Sequence, residues 1–219
     1  MPTTSRPDNH AANRQRRTQA QRRAATQSAL LDATLECLVD LGYSGTTTTE
    51  VCRRAGVSQG ALFRYFPTKA DLLAAAVEVM YGRLFDAYRE GLEEVADADD
   101  RIAAAVRLLW QTFQRDDLLA ALELYVAART DEELRAALTR LEAPHEDRTI
   151  ALAGELFTGA AAHELFRPGI QLILDAVQGA AVRAVALKDH HDIERELDLL
   201  TSLARQVLAM ASAGPHADA

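Results

Sequence analysis

Residues 47–72 read TTTEVCRRAGVSQGALFRYFPTKADL, and this stretch decides the fold. Thr47 with Glu50 forms a Thr-x-x-Glu capping box, which satisfies orphan amides at a helix start. Val51 and Ala55 stand four apart and share one helical face. Gly56 is suited to end that helix in the left-handed conformation. Ser58 can cap a second short helix, whose Leu62 and Phe66 point inward at i, i+4 spacing. Pro67 stops it, and Thr68-x-x-Asp71 caps a third. Two short helices across a tight turn, followed by another helix, are the grammar of a helix-turn-helix, which lays its second helix in the major groove of DNA.

The 219 residues suffice for a large core, and 48% apolar content with only 5% aromatics favours helix over sheet. No run of about 18–20 apolar residues predicts a membrane span, and no apolar signal core opens the chain. A cytoplasmic protein is expected. Cys37 and Cys52 form no metal-ligand pattern and read as small core residues. Neither a metal nor a cofactor is expected.

The formal net charge of -8 hides a strong asymmetry. Residues 1–70 carry ten Lys/Arg against five Asp/Glu, a net of +5, and the remainder carries 14 against 27, a net of -13. A basic head on an acidic body confines phosphate attraction to one end. Arg14, Arg16, Arg17, Arg22 and Arg23 run from a polar arm (1–20), expected to be disordered, into the first helix. That run is either a solvated charge cluster or an arm along phosphates or a minor groove.

Outward from the motif, a first helix spans about 23–41 with Leu31, Leu35 and Leu38 inward and Gly42 as its stop. A fourth starts near Lys69 and reaches about Glu90, with Leu73, Val77, Leu84 and Tyr88 as its apolar stripe; Gly91 and the ADADD stretch close it. Further helices are expected at about 100–115, 117–129, 131–157, 167–187 and 191–212, with Thr130-x-x-Glu133 starting one and Pro144 kinking or breaking it. The fold is all-α: an arm (1–20), a helix-turn-helix head (21–68), a larger helical body (69–212) and a flexible tail (213–219).

By geometry, the recognition helix is about Gln59–Phe66. Gln59 can pair bidentately with adenine and Arg64 with guanine. Arg53 and Arg54 are either phosphate contacts or merely exposed.

The ordered series from LLDATLECLVDLGYSGTTTTEV at 30–51, through Ala55-Gly56-Val57-Ser58 and Gly60-Ala61-Leu62-Phe63-Arg64-Tyr65-Phe66, to Lys69 and Leu72 resembles the DNA-binding domain of the TetR family of bacterial transcriptional regulators. The resemblance covers residues 25–75. It implies DNA contacts at the positions of Thr48, Thr49, Gly60, Ala61, Phe63, Tyr65 and Lys69; of these, Thr48 and Tyr65 carry hydroxyls suited to phosphate oxygens, and Lys69 sits at a helix start where ammonium and amides can hold one phosphate. The family commonly has tyrosine where Phe63 stands, so the hydroxyl contact is lost, and reliance on Arg64 and on DNA shape is expected to grow.

The resemblance also implies a homodimer on a double-stranded, pseudo-palindromic operator, joined by the last two helices as a four-helix bundle. The residues for that interface are Leu174, Val177, Ala181, Val185, Leu200, Leu203 and Val207, unless these stripes pack only within their own subunit. It further implies a small-molecule pocket in the body. Tyr81, Phe85, Tyr88, Trp110, Phe113 and Tyr125 are candidate walls for a partly apolar effector, with Arg129 and His145 (or His163) as polar anchors, although each also suits ordinary core or surface. His190-His191 reads as a turn.

These features describe a ligand-released repressor. An activator, or a regulator controlled by a protein partner, would share them. No phosphate loop, nucleophile elbow, His-Glu-x-x-His or paired Cys-x-x-Cys supports an enzyme. The acidic body argues against a non-specific architectural DNA-binding protein.

Overall fold

A computed structural model describes residues 19–188 and 192–212. Most of the arm, the His190-His191 turn and the tail expected from the sequence therefore lie outside the described residues. Among the described residues there are nine helices and no strand. They are α1 (Gln19–Gly45), α2 (Thr48–Ala55), α3 (Gln59–Tyr65), α4 (Lys69–Asp97), α5 (Arg101–Phe113), α6 (Asp116–Ala128), α7 (Glu132–Leu156), α8 (Phe166–Leu187) and α9 (Ile193–Ser212). An N-terminal helix-turn-helix unit adjoins a larger helical domain.

The head is held by Leu30, Leu38, Val51 and Leu62, all essentially inaccessible, with Leu31, Leu35 and Phe66 around them. Cys37 and Cys52 fill this core as free thiols, and burial pushes both thiols up from their ordinary value. Regular α1 geometry breaks at Gly42, whose φ of 66° and ψ of -178° are accessible to glycine almost alone. Gly56 ends α2 in the left-handed conformation.

The caps form as side-chain chemistry requires. Thr47 Oγ1 accepts from Glu50 N at 3.2 Å, Ser58 Oγ from Ala61 N at 3.3 Å and Thr68 Oγ1 from Asp71 N at 3.1 Å. The capping box at α2 is half formed, because the Glu50 carboxylate is taken by Arg53 and Arg54. At α7 the cap is Asp131, which accepts from Leu134 N at 2.9 Å. Thr130, expected there, instead turns its hydroxyl to the Ala127 carbonyl.

Other boundaries differ for local reasons. Helix α4 runs through Gly91 to Asp97. A Cβ at Gly91 would lie 2.8 Å from the Leu108 methyls, so this glycine lets α4 and α5 approach closely and is no stop. Helix α7 continues through Pro144 without a break. The carbonyl that Pro144 cannot satisfy belongs to Arg140, which is exposed, as is Pro144 itself, so water can serve it. Helix α8 spans 22 residues with a stretch of mean hydropathy 1.5, long and apolar enough to cross a membrane. No run of this length was expected; the aliphatic residues of α8 lie on its outward as well as its inward side, and the helix packs on α5 and α9.

Candidate nucleic-acid interface and effector cavity

The second helix of the motif, α3, leaves one side open to solvent. Gln59, Gly60, Phe63 and Arg64 are exposed, and Ala61 and Tyr65 are half-buried. Gln59 Nε2 donates to Thr49 Oγ1 at 2.7 Å, which ties the N-terminal end of α3 to α2. A Cβ at Gly60 would meet nothing within 4 Å, so the backbone there is bare. Phe63 is 44% exposed although apolar. Thr48 is half-buried in the first turn of α2.

Basic side chains flank this face. The Arg23 guanidinium of α1 lies 5.7 Å from the Tyr65 ring centroid, next to the recognition helix. Its neighbourhood with Tyr65 was not singled out from the sequence, where the arginine run was the available signal. Lys69 Nζ lies 4.6 Å over the Tyr43 ring, and burial lowers its pKa from the ordinary lysine value.

The two arginines of α2 are committed within the protein. Arg54 bonds Asp40 at 2.5 Å and Glu50 at 2.9 Å, with only 17% of its side chain exposed. Arg53 pairs with Glu50 at 2.6 Å. Bonds from Arg53 and Arg54 hold the Glu50 carboxyl down at about 2. Arg54 therefore staples α2 to α1, which conflicts with its use as a free phosphate contact.

The head meets the body at Tyr43. Its amide donates to Glu123 Oε2 of α6 at 2.8 Å, and its hydroxyl donates to Asp131 Oδ2 at the α7 cap at 3.0 Å. Helix α4 is the covalent link, and α1 packs against both α4 and α6.

Between α4, α6, α7 and α8 lies a cavity of about 370 Å³. Of the expected wall and anchor residues, Tyr81, Tyr88, Phe113, Tyr125 and His145 line it. Three do not. Trp110 is buried core, Phe85 lies under Arg89 and Arg148, and Arg129 is exposed at the end of α6. His163 sits instead in the turn before α8, where its Nδ1 accepts from Leu165 N. Glu142, Gln171, Asp175 and Gln178 also line the cavity and were missed, because their convergence depends on α7 and α8 crossing.

Inside, Tyr81 and Tyr125 hydroxyls bond each other and both reach the Glu142 carboxylate. Burial raises both phenol pKa values. The His145 ring stacks on Tyr81 at 3.6 Å, and burial lowers its pKa, favouring the neutral ring. A second, apolar cavity of about 100 Å³ adjoins through shared Tyr88, Thr149 and Leu174, and is walled by Val106, Leu109, Leu152, Ile173 and neighbours.

The residues expected to form a subunit interface fall on different sides of α8 and α9. Val177 and Ala181 are fully buried within the subunit, Leu174 walls the cavities, and Val207 presses on Gly169. Leu200 is half-buried, and Val185 and Leu203 are open. The outward apolar surface is made instead by Leu172 (63% exposed), Val182, Val185, Leu187, Leu199 (61%), Leu203 and Met210. Because α8 has aliphatic residues all round, its inward and outward sides could not be told apart from spacing.

Comparison with known proteins agrees with this architecture. The profile of bacterial regulatory proteins of the tetR family matches residues 30–76. The HTH-type transcriptional regulator CymR of Pseudomonas putida is 33% identical over 195 residues, covering 87% of this chain and 95% of that protein. The multidrug binding protein EbrR, solved in complex with imidazole, superposes with a TM-score of 0.61 at 21% identity, over 81% of this chain and 93% of that one. FadR of Bacillus subtilis, solved with stearoyl-CoA, gives 0.56 at 19% identity, over 86% and 99%. Similarity of this extent, resting on a helix-turn-helix with an open recognition helix, places the chain in the TetR family as a DNA-binding transcriptional regulator, not an enzyme.

Proposed function

We propose that this regulator is a cytoplasmic homodimeric repressor, released from a pseudo-palindromic operator by a small molecule bound in its body. In this reading, residues 21–68 form the DNA-binding head and 69–212 the effector and dimerisation body. Gln59 and Arg64 read bases. Thr48, Thr49, Tyr65 and Lys69 hold phosphates, and Gly60, Ala61 and Phe63 approach the groove closely. Two copies pair through the outward apolar surface of α8 and α9, since one head covers only a half-site.

The observation that carries the release step is the placement of α6. It contributes Tyr125 to the cavity and, two residues earlier, Glu123 to the Tyr43 amide of the head. A ligand that displaces Tyr125 from Tyr81 and Glu142 moves the helix that anchors the head, in addition to α4. It shifts operator binding only by its differential affinity for the two arrangements. A hundredfold difference corresponds to about 2.7 kcal/mol. The relatives solved with imidazole and with stearoyl-CoA support a ligand in this fold. The test is operator binding by fluorescence anisotropy with added small molecules. Release without loss of fold supports the reading; operator binding insensitive to every ligand that enters the cavity contradicts it.

A further inference from the structure

The two adjoining cavities differ sharply in chemistry, and the difference specifies a ligand. The smaller, about 100 Å³, is walled almost wholly by aliphatic and aromatic carbon, with the Thr149 side chain at its junction with the larger. An engineered apolar cavity of about 150 Å³ holds benzene, so this one takes a short alkyl group. The larger, about 370 Å³, carries Tyr81, Tyr125 and Phe113 alongside Glu142, Glu146 and Asp175.

The three acids are not equivalent. Glu146 is matched by Arg167 at 2.6 Å. Among the described residues, Glu142 accepts only from the phenols Tyr81 and Tyr125, and Asp175 only from the Gln171 amide. Among the described residues neither forms an ion pair, and no lysine or arginine lines this chamber. The nearby Arg148 lies over Phe85 at 4.5 Å, outside the lining. Both acids are exposed, so the rim of the chamber presents two carboxylates with no lysine or arginine partner among the described residues, beside aromatic faces. Aromatic rings and carboxylates together favour an organic cation and repel an anion.

On the reading that this cavity is the effector site, we infer that its ligand is a monocationic amine or quaternary ammonium with a short apolar arm. The head lies between Tyr81, Tyr125, Glu142 and Asp175, and the arm enters through Leu174 and Tyr88 toward Ile173. Steric fit alone would not distinguish charge types; the uncompensated acids do.

The test is calorimetric titration of the full chain with three probes that share a para-butylphenyl arm: para-butylbenzyltrimethylammonium, para-butylbenzyl alcohol and para-butylbenzoate. The cation is expected to bind at least tenfold more tightly than the alcohol, and the benzoate most weakly. Trimming the butyl group to hydrogen should lower the affinity of the cation tenfold or more. Glu142→Gln keeps an acceptor for the two phenols and should erase most of the preference for charge; Asp175→Asn, on another helix, should lower it independently. Equal or tighter binding of the benzoate overturns the inference, as does failure of the cation to bind at millimolar concentration. Operator release is read separately. Release by the benzoate would leave effector control standing and overturn only the ligand class. Binding of the cation without release would uphold the class and overturn effector control by it.

Discussion

The Tyr43 amide donates to the Glu123 carboxylate at 2.8 Å, across 80 residues of sequence and from head to body. Gly42 beside it makes the contact possible, since a Cβ there would fall 2.7 Å from Glu123 Oε2 and φ is 66°. Gly42→Ala is therefore expected to cost about 1–3 kcal/mol from backbone strain alone. Glu123→Ala, which removes a solvent-accessible charged acceptor, should cost about 1 kcal/mol. Urea unfolding midpoints measure both, and an unchanged midpoint for Gly42→Ala would contradict the strained junction.

Acid should weaken the Glu50 pairs with Arg53 and Arg54 within α2. The folded Glu50 carboxyl sits at about 2 against an ordinary 4.5. A depressed carboxyl contributes stability that is fully present above the ordinary value and is lost as pH falls through the folded one. Wild type should thus lose stability between those two values, and Glu50→Gln should lose less over the same interval. Unfolding midpoints of the two proteins across that range check this; parallel curves would show that the Arg53 and Arg54 bonds do not act on Glu50 in solution.

Base reading and phosphate holding should separate by mutation. Arg64→Ala is expected to relax base preference and cost about 1–3 kcal/mol at a matched site. Lys69→Ala should weaken all sequences alike and flatten the salt dependence. Anisotropy on matched and mismatched duplexes over a salt series measures both. A preferred sequence unchanged by Arg64→Ala removes Arg64 from base reading.

Leu203→Glu places a charge on the outward surface of α9 without entering the core, since Leu203 is 42% exposed. Sedimentation should show a monomer that keeps its helicity and binds a full operator far more weakly. A persistent dimer would move the interface elsewhere.

What could be read in the sequence was local. Thr47, Ser58 and Thr68 act on amides three residues away, so spacing alone located three helix starts. Gly91 and Pro144 misled because their effect depends on surroundings, one on Leu108 of a neighbouring helix and the other on access to water. The cavity was half legible. Its aromatics stand out in a chain with few of them, whereas Glu142 and Asp175 look like any surface acids until α7 and α8 bring them together. Arg54 belongs with these, since its partner Asp40 lies on another helix. Val177 and Ala181 were misplaced because an evenly apolar helix carries no phase.

The most direct test of the account is selection of bound fragments from the genome of the source organism at near-physiological salt, where non-specific binding is weak. A sequence-specific dimer predicts recovery of a few pseudo-palindromic sites, with half-sites spaced to match two recognition helices on one face of the duplex. Recovery of fragments with no shared sequence, or of lone half-sites bound by a monomer, would contradict it.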